Sequence, residues 1–476
     1  MKVGHLSRKL GLGSEGPFSS YSNLEDLIDG ELSKKLTFMG VPKRAGEIEN
    51  WPDRLTYNLD ERIDKISSYW IEREALEYEM EKLKLSKNER RLRRSVLSDK
   101  YSMKKIDKYK FFHSGSFGDA QIKLRLSYFW LNHFTVGDVR ETRELIGNFW
   151  ESTIVNGLEG TFSDLLYYST CHPAMLDYLD NIFNNKHGIN DNLARELLEL
   201  HSVSPSLKYT ENDIHNAAKV LAGWGMTEKD RRKIKDLDWR EPWLKTKAIS
   251  GDKKVLGKTI PDGKSGLRTL TDFLSGHSNT IRHISSKLLR HFVGESFTDL
   301  DLQKVTEVWE SSNGNLPKIH KAVLTIAAQS NKKSFTWPLI WSFQVLRSSS
   351  SRLVFGYDEA GLAGSKIIRP KNEMGYNLNY IADCEMLMQE MGQCFWSKRQ
   401  PNGFSDKRKD WISSEYLDRR IRFAGLVFDF GQPGRSSIEI MDLHNVSGDL
   451  RNKLLQIKDD RERFIALFCS PEFLEA

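Results

Sequence analysis

Residues 190–224, NDNLARELLELHSVSPSLKYTENDIHNAAKVLAGW, hold the chain's densest run of acidic, histidine and turn-forming residues, and their reading decides the fold. At about 100° per residue, Asn192 to His201 form a helix on which Leu193, Ala194, Leu197, Leu198 and Leu200 cover roughly half the circumference. Such a helix is largely buried. The remaining face carries Asn192, Arg195, Glu196 and Glu199 within an arc of about 100°. His201 points about 200° away from Glu199, towards the apolar side. Ser204 and Pro205 stop this helix, and Thr210 with Asp213 reads as the cap of a second one. Ile214, Ala217, Ala218, Leu221 and Ala222 then make an apolar stripe that ends at Gly223, Trp224 and Gly225, so the stretch is a helical hairpin.

Two readings of the polar face follow. In the first it is a structural seam, with Arg195 paired to Glu199 and Asn192 bonded to Glu196. In the second, Glu196 and Glu199 hold a divalent metal or act as general acid and base, Arg195 orients them, and a second helix supplies a histidine. His133, at the end of the aromatic segment Asp119 to Thr135, is the best candidate for that histidine. His201 is expected to be a hydrogen-bonded core histidine.

Outward from this stretch, 476 residues allow two or three domains, and 39% hydrophobic with 11% aromatic residues supply ample core material. A net charge of +6 permits an acidic partner without requiring one. Four widely spaced cysteines argue against a zinc cluster or a disulfide framework. No run reaches the length of a membrane span, and the N-terminus lacks the apolar core of an export signal, so a cytoplasmic setting is expected.

Helices are expected from Asn23 to about Leu36 and from Asn58 to about Lys84. The basic run Lys82 to Lys110 follows, with 12 Lys or Arg against three acids. It reads as a solvated helical arm; association of Arg90 to Lys110 with nucleic acid is the sharper alternative. Asp119 to Thr135 is a buried helix, with further helices over Arg140 to Asn156 and Thr161 to Ser169. Pro173 opens a helix on which Asp177 and Asp180 read as a solvated face. Residues 227–263 read as a long, charged, Gly-containing loop. Four amphipathic helices follow, from Ser265 to Leu274, Thr280 to Val293, Asp299 to Ser311 and Leu316 to Ser330, and then a helical segment from Trp337 to Leu346. Ser348 to Ser351 with the Gly-rich GYDEAGLAGSK reads as a linker, followed by a helix around Tyr380 to Glu390 and two to four C-terminal helices. No P-loop, dinucleotide, H-E-x-x-H or G-x-S-x-G motif occurs.

An ordered series of segments resembles the bacterial family called domain of unknown function 1800. They are FWLNHFTVG at Phe129, HPAMLDYLDN at His172, NDNLARELLELHSV at Asn190, YTENDI with AAKVLAGW, KVLGKTI at Lys254, HSNTIRHISSKLLRHFVGE at His277, MGQCFWSKRQPNGF leading to Trp411, and SPEFL at Ser470. The resemblance spans most of residues 119–476, and HLSRKLGLG near the start is similar to the family's opening. It implies a helical fold and no established activity. Relatives often look exported and are encoded beside a sulfatase-like secreted protein, which implies a protein partner. Where relatives carry His-Asp before the K-x-x-L-G turn, this chain has Ala248 and Ile249, so a site built on that pair is altered here.

The expectation is an all-α protein: an N-terminal segment with a charged helical arm (residues 1–118), a central helical domain (119–347), and a linker with a smaller C-terminal helical region (348–476). Its function is expected to be binding or assembly with a protein partner. The alternatives are a metal-assisted enzyme, hydrolytic or redox, using Glu196, Glu199, His133 and Arg195, and a nucleic-acid-associated protein.

Overall fold

The computed structural model describes residues 3–13, 18–42, 48–227, 230–231, 237–351, 391–394, 396, 400–431 and 433–475. Helix dominates these residues, with two small two-stranded antiparallel sheets, so the expected all-α class holds. The expected Gly-rich linker and the helix around Tyr380 to Glu390 lie outside the described residues.

Near the N-terminus, α1 (Val3–Leu10) and α2 (Leu24–Ser33, capped by Asn23) pack onto the body. Then α3 (Leu59–Lys82) opens with a complete capping box between Asn58 and Glu61 and turns back as α4 (Lys87–Tyr101). Beyond Ile66 this hairpin is largely exposed: Ile71, Tyr78, Leu92 and Val96 are all more than half accessible. The basic residues of α4 meet acids of α3, in Arg93–Glu79 at 2.8 Å, Arg94–Glu77 at 2.6 Å and Lys100–Glu72 at 2.8 Å.

The arm does not stay solvated to its end. On α5 (Lys104–Phe117), Asp107 and Lys110 are buried. Asp107 takes a bidentate pair of hydrogen bonds from Arg62 at 2.6 and 2.7 Å, and Lys110 pairs with Glu151 at 2.7 Å. A local count of charge misses this, because the aromatic residues Tyr109, Phe111 and Phe112 carry α5 into the core and the charges go with them.

The centre of the molecule is α6 (Gln121–His133), every residue of which is buried. Its Arg125 donates to the carbonyls of Arg8 and Lys9 at the end of α1, at 2.9 and 2.8 Å, supplying partners that a helix terminus lacks. Across the expected helix Arg140 to Asn156 the chain forms a 3₁₀ turn (Thr142–Glu144) and a single turn (Ile146–Asn148), then widens into a π-helix over Phe149–Val155. Next come α7 (Phe162–Cys171) and α8 (Pro173–Tyr178), the latter capped by the His172 ring. Asp177 is buried rather than solvated, because Arg140 binds its carboxylate at 2.9 Å; burial pushes its carboxyl up from the ordinary value.

The stretch first quoted forms α9 (Asn192–Glu199) and α10 (Glu211–Leu221), with the Thr210–Asp213 capping box in place. The expected loop that follows contains a hairpin, β1 (Lys253–Val255) and β2 (Lys258–Ile260). Leu256 and Gly257, at φ 48° and 81°, make its two-residue turn. The turn is held against α10 by the Leu256 N–H, which donates to Asp213 at 2.8 Å.

Then α11 (Ser265–Ser275), α12 (Ser278–Phe292), α13 (Asp299–Ser311), α14 (Leu316–Gln329) and α15 (Pro338–Ser348) follow within a residue or two of their expected bounds. Ser348, Ser349 and Ser351 are buried and Ser350 is exposed, and the Ser348 hydroxyl donates to the Gly13 carbonyl, so most of this serine run packs into the core rather than forming a solvated break. The C-terminal part adds α16 (Ser414–Phe430), α17 (Ser437–Leu443), α18 (Gly448–Leu455), α19 (Asp460–Phe468) and α20 (Pro471–Leu474). One contiguous core runs from Leu6 to Phe473. No helix among the described residues is long and apolar enough to cross a membrane.

Candidate functional site

Five segments far apart in sequence meet around a cavity of about 220 Å³, one of them contributing Trp337. The last turn of α6 brings Asn132 and His133, and the end of α9 brings Glu199 and Leu200. One stripe of α12 brings His283, Lys287 and Arg290, and residues 401–406 close the side. His283, Lys287 and Arg290 share that stripe because four- and three-residue steps return to one helical face.

The closing loop is held by Asn132. Its Nδ2 donates to the Phe404 carbonyl at 3.0 Å while its Oδ1 accepts from the Phe404 N–H at 2.7 Å. Gly403 makes this approach possible. It sits at φ 68°, and a Cβ there would lie 2.3 Å from the Asn132 carbonyl oxygen. Beside it Arg290 pairs with Asp406 at 2.9 Å.

The end of α9 explains the histidines. A helix leaves its last carbonyls without intrahelical partners. His283 hydrogen-bonds the Leu200 carbonyl, and the Nε2 of His133 lies 3.3 Å from the carbonyl of His201. A carbonyl only accepts, so His133 carries its proton on Nε2 and Nδ1 is left as an acceptor. That acceptor lies 3.0 Å from Lys287 Nζ. Burial, then the charge of Lys287, holds His133 well below the usual histidine value and brings His283 down to about 4. All three groups are therefore arranged for neutral imidazoles and one ammonium.

Lys287 is the group left over. Burial lowers it to about 8, although Asp406 pulls the other way. Among the described residues it makes no ion pair; its partner is the neutral His133. The carboxylates nearby are already engaged, Asp406 by Arg290 and Glu199 by Arg195 at 3.6 Å and the Tyr209 hydroxyl. The negative end of the α9 dipole supplies partial compensation only.

Of the residues expected from sequence, His133 and Glu199 do meet in this cavity. Glu196 lies outside its lining and has no hydrogen bond or ion pair among the described residues; burial and then Glu199 push its carboxyl up. Asn192 does not reach it. Arg195 turns to the surface, towards Glu211 at 2.8 Å and Asp191 at 3.2 Å as well as Glu199. Among the described residues no group of three or more His, Cys, Asp or Glu is disposed to hold a metal ion, and Glu196, Glu199 and His133 do not form one. His201 is a core residue as expected, against Phe134 at 5.2 Å, but both ring nitrogens are buried without a hydrogen-bond partner. Sequence reasoning passed over Asn132, His283, Lys287 and Arg290. The stripe of three basic residues on α12 was the available signal.

A family model described as "Protein of unknown function (DUF1800)" matches residues 41–474, and the chain belongs to that family. The match extends through the charged hairpin as well as the body. No curated protein and no solved structure matches the chain.

Proposed function

We propose that this DUF1800 member is a binding protein whose centre is the Lys287 cavity, and that its ligand presents a small anionic group, carboxylate or phosphate, to that ammonium. The observation that carries this is one ammonium without an ion pair among the described residues, in a cavity assembled from five distant segments. An ammonium removed from water without a counter-charge is costly, and an anion filling the cavity offsets that cost. Four of the five segments contain FWLNHF, ELLELH, SKLLRHF and KRQPNGF, so the sequence features behind the family resemblance supply most of the lining. The expectation of a protein partner is carried forward in this form: an acidic side chain or a terminal carboxylate of a partner has the same chemistry.

The test is a thermal-unfolding titration of the full chain with inorganic phosphate and with citrate, in a buffer without other multivalent anions. A midpoint that rises saturably in the wild type and stays fixed in Lys287→Met supports the reading, since methionine keeps the volume and drops the charge. Equal shifts in both proteins, or none in either, sink it. Metal content is measured beside the Glu196→Gln, Glu199→Gln variant. Near-stoichiometric divalent metal lost in that variant replaces the anion reading with the metal-assisted one.

A further inference from the structure

A second and larger cavity, about 750 Å³, lies between the base of the α3–α4 hairpin and the helical body, and shares no lining residue with the Lys287 cavity. Its volume falls within the roughly 300–1,000 Å³ of ligand sites. The hairpin contributes Ile63, Ile66 and Trp70, and the body contributes Leu176, Ile182 and Trp239, giving two facing apolar walls.

The polar groups of the lining are unequally satisfied. Asp177 is bound through Oδ1 by Arg140, its buried Oδ2 having no hydrogen-bond partner, and Glu141 is bound by Arg231 and by the Trp70 Nε1 at 2.6 Å. Glu144 is turned away to cap α5, accepting from the N–H groups of Met103 and Lys104 at 2.6 and 3.1 Å. Arg73 pairs with Glu77 at 2.9 Å. Arg143 differs. Its side chain is half exposed, and its one ion pair among the described residues is with Asp138 at 3.5 Å, a carboxylate already bound by Lys104. The cleft thus offers apolar walls, engaged carboxylates and one under-compensated guanidinium.

We propose that this cleft binds an amphipathic anion, an acyl or aryl chain whose carboxylate- or sulfonate-like head lies at Arg143 and whose apolar body lies between Trp70 and Trp239. Two features fit that class better than a neutral apolar molecule or a cation. The walls are apolar enough to take a chain out of water, and each lining carboxylate already has a cation or N–H partner, whereas Arg143 has no carboxylate closer than 3.5 Å. A guanidinium makes bidentate hydrogen bonds to such a head. The ligand bridges the hairpin and the body, so its binding slows hydrogen exchange at the hairpin base.

The experiment uses the full chain and anilinonaphthalene sulfonate as the fluorescent probe, displaced by dodecanoate or by dodecanol. One saturable site is expected, with dodecanol about tenfold weaker than dodecanoate. Ile182→Trp, which fills the cleft, weakens the probe by about tenfold or more, and Arg143→Gln weakens dodecanoate several-fold while leaving dodecanol unchanged. Arg143 is half exposed, so that variant tests the head-group contact even where Ile182→Trp fails to fold. Absent or non-saturable probe binding overturns the proposal, as does binding unchanged in a folded Ile182→Trp. Equal displacement by dodecanol and dodecanoate overturns the assignment of an anionic head to Arg143.

Discussion

The run Lys82 to Lys110 and the cavity around Lys287 are both positively charged, and they differ in what answers the charge. In the run, Arg93, Arg94, Lys100, Lys104 and Lys110 each meet a carboxylate, and where the chain enters the core Asp107 holds Arg62 with two hydrogen bonds. In the cavity a single ammonium faces neutral histidines. Charge density in the sequence points to the run. Charge without an ion pair at the wall of a cavity points to Lys287, and it is that charge which a ligand can complete.

Breaking the answered side has the largest effect. Asp107→Asn leaves the buried Arg62 guanidinium without its counter-charge and costs about 3–5 kcal/mol, read as a lower denaturant midpoint with the slope unchanged. Lys287→Met acts in the opposite direction. Without ligand the variant matches or exceeds wild-type stability at pH 7, because a part-buried charge without an ion pair is removed. The sign with pH sharpens the contrast. Lys287 is lowered to about 8 in the folded chain, against an unfolded value near 10.4, so the unfolded chain holds more protons between those two values. Wild-type stability therefore rises relative to Lys287→Met as pH climbs through that window, and saturating anion flattens the rise. Taking the difference between the two proteins cancels Lys9, which is also lowered to about 8. A flat difference between pH 7 and pH 10.5, the usual lysine value, would show the ammonium to be solvated. A smaller change comes from His201→Leu, which replaces two unpartnered ring nitrogens with apolar surface. The histidine is lowered to about 3, so its stability contribution is lost as pH falls below the unfolded value near 6.5. The variant's gain over wild type grows on acidification from pH 7 towards 4, as circular-dichroism melts will report.

The helices were legible because their signals are local. Thr210 with Asp213 forms the capping box that its spacing suggests, and the leucine stripe of α9 fixes its buried face. The site was legible in part. His133 and Glu199 were found because each ends a helix whose polar side can be placed by counting. Lys287 was not, since on α12 it alternates with apolar residues as on any amphipathic helix, and only the position of α9's terminal carbonyls gives it meaning. The serines at 348–351 misled for the reason that clustered serine favours loops. Here Ser348 and Ser351 donate to the Gly13 and Gly431 carbonyls, and a hydroxyl bonded to backbone is as much at home in a core as at a turn. The β1–β2 turn escaped notice because Leu256 occupies a left-handed position usually given to Asn or Gly.

The smallest effect belongs to the exposed part of the run. Arg94 meets Glu77 at 2.6 Å in a well-formed pair, yet both side chains remain substantially accessible, and Glu77 also holds Arg73. Solvent screens such a pair, and ordering two long side chains offsets much of the attraction. Arg94→Ala is therefore expected to leave the unfolding midpoint within experimental scatter, with any difference disappearing at high salt. A large loss in that variant would mean that the projecting hairpin depends on its charge pairs. The contrast between a run whose exposed pairs contribute little and a cavity whose ammonium lacks an ion pair would then no longer separate the two regions.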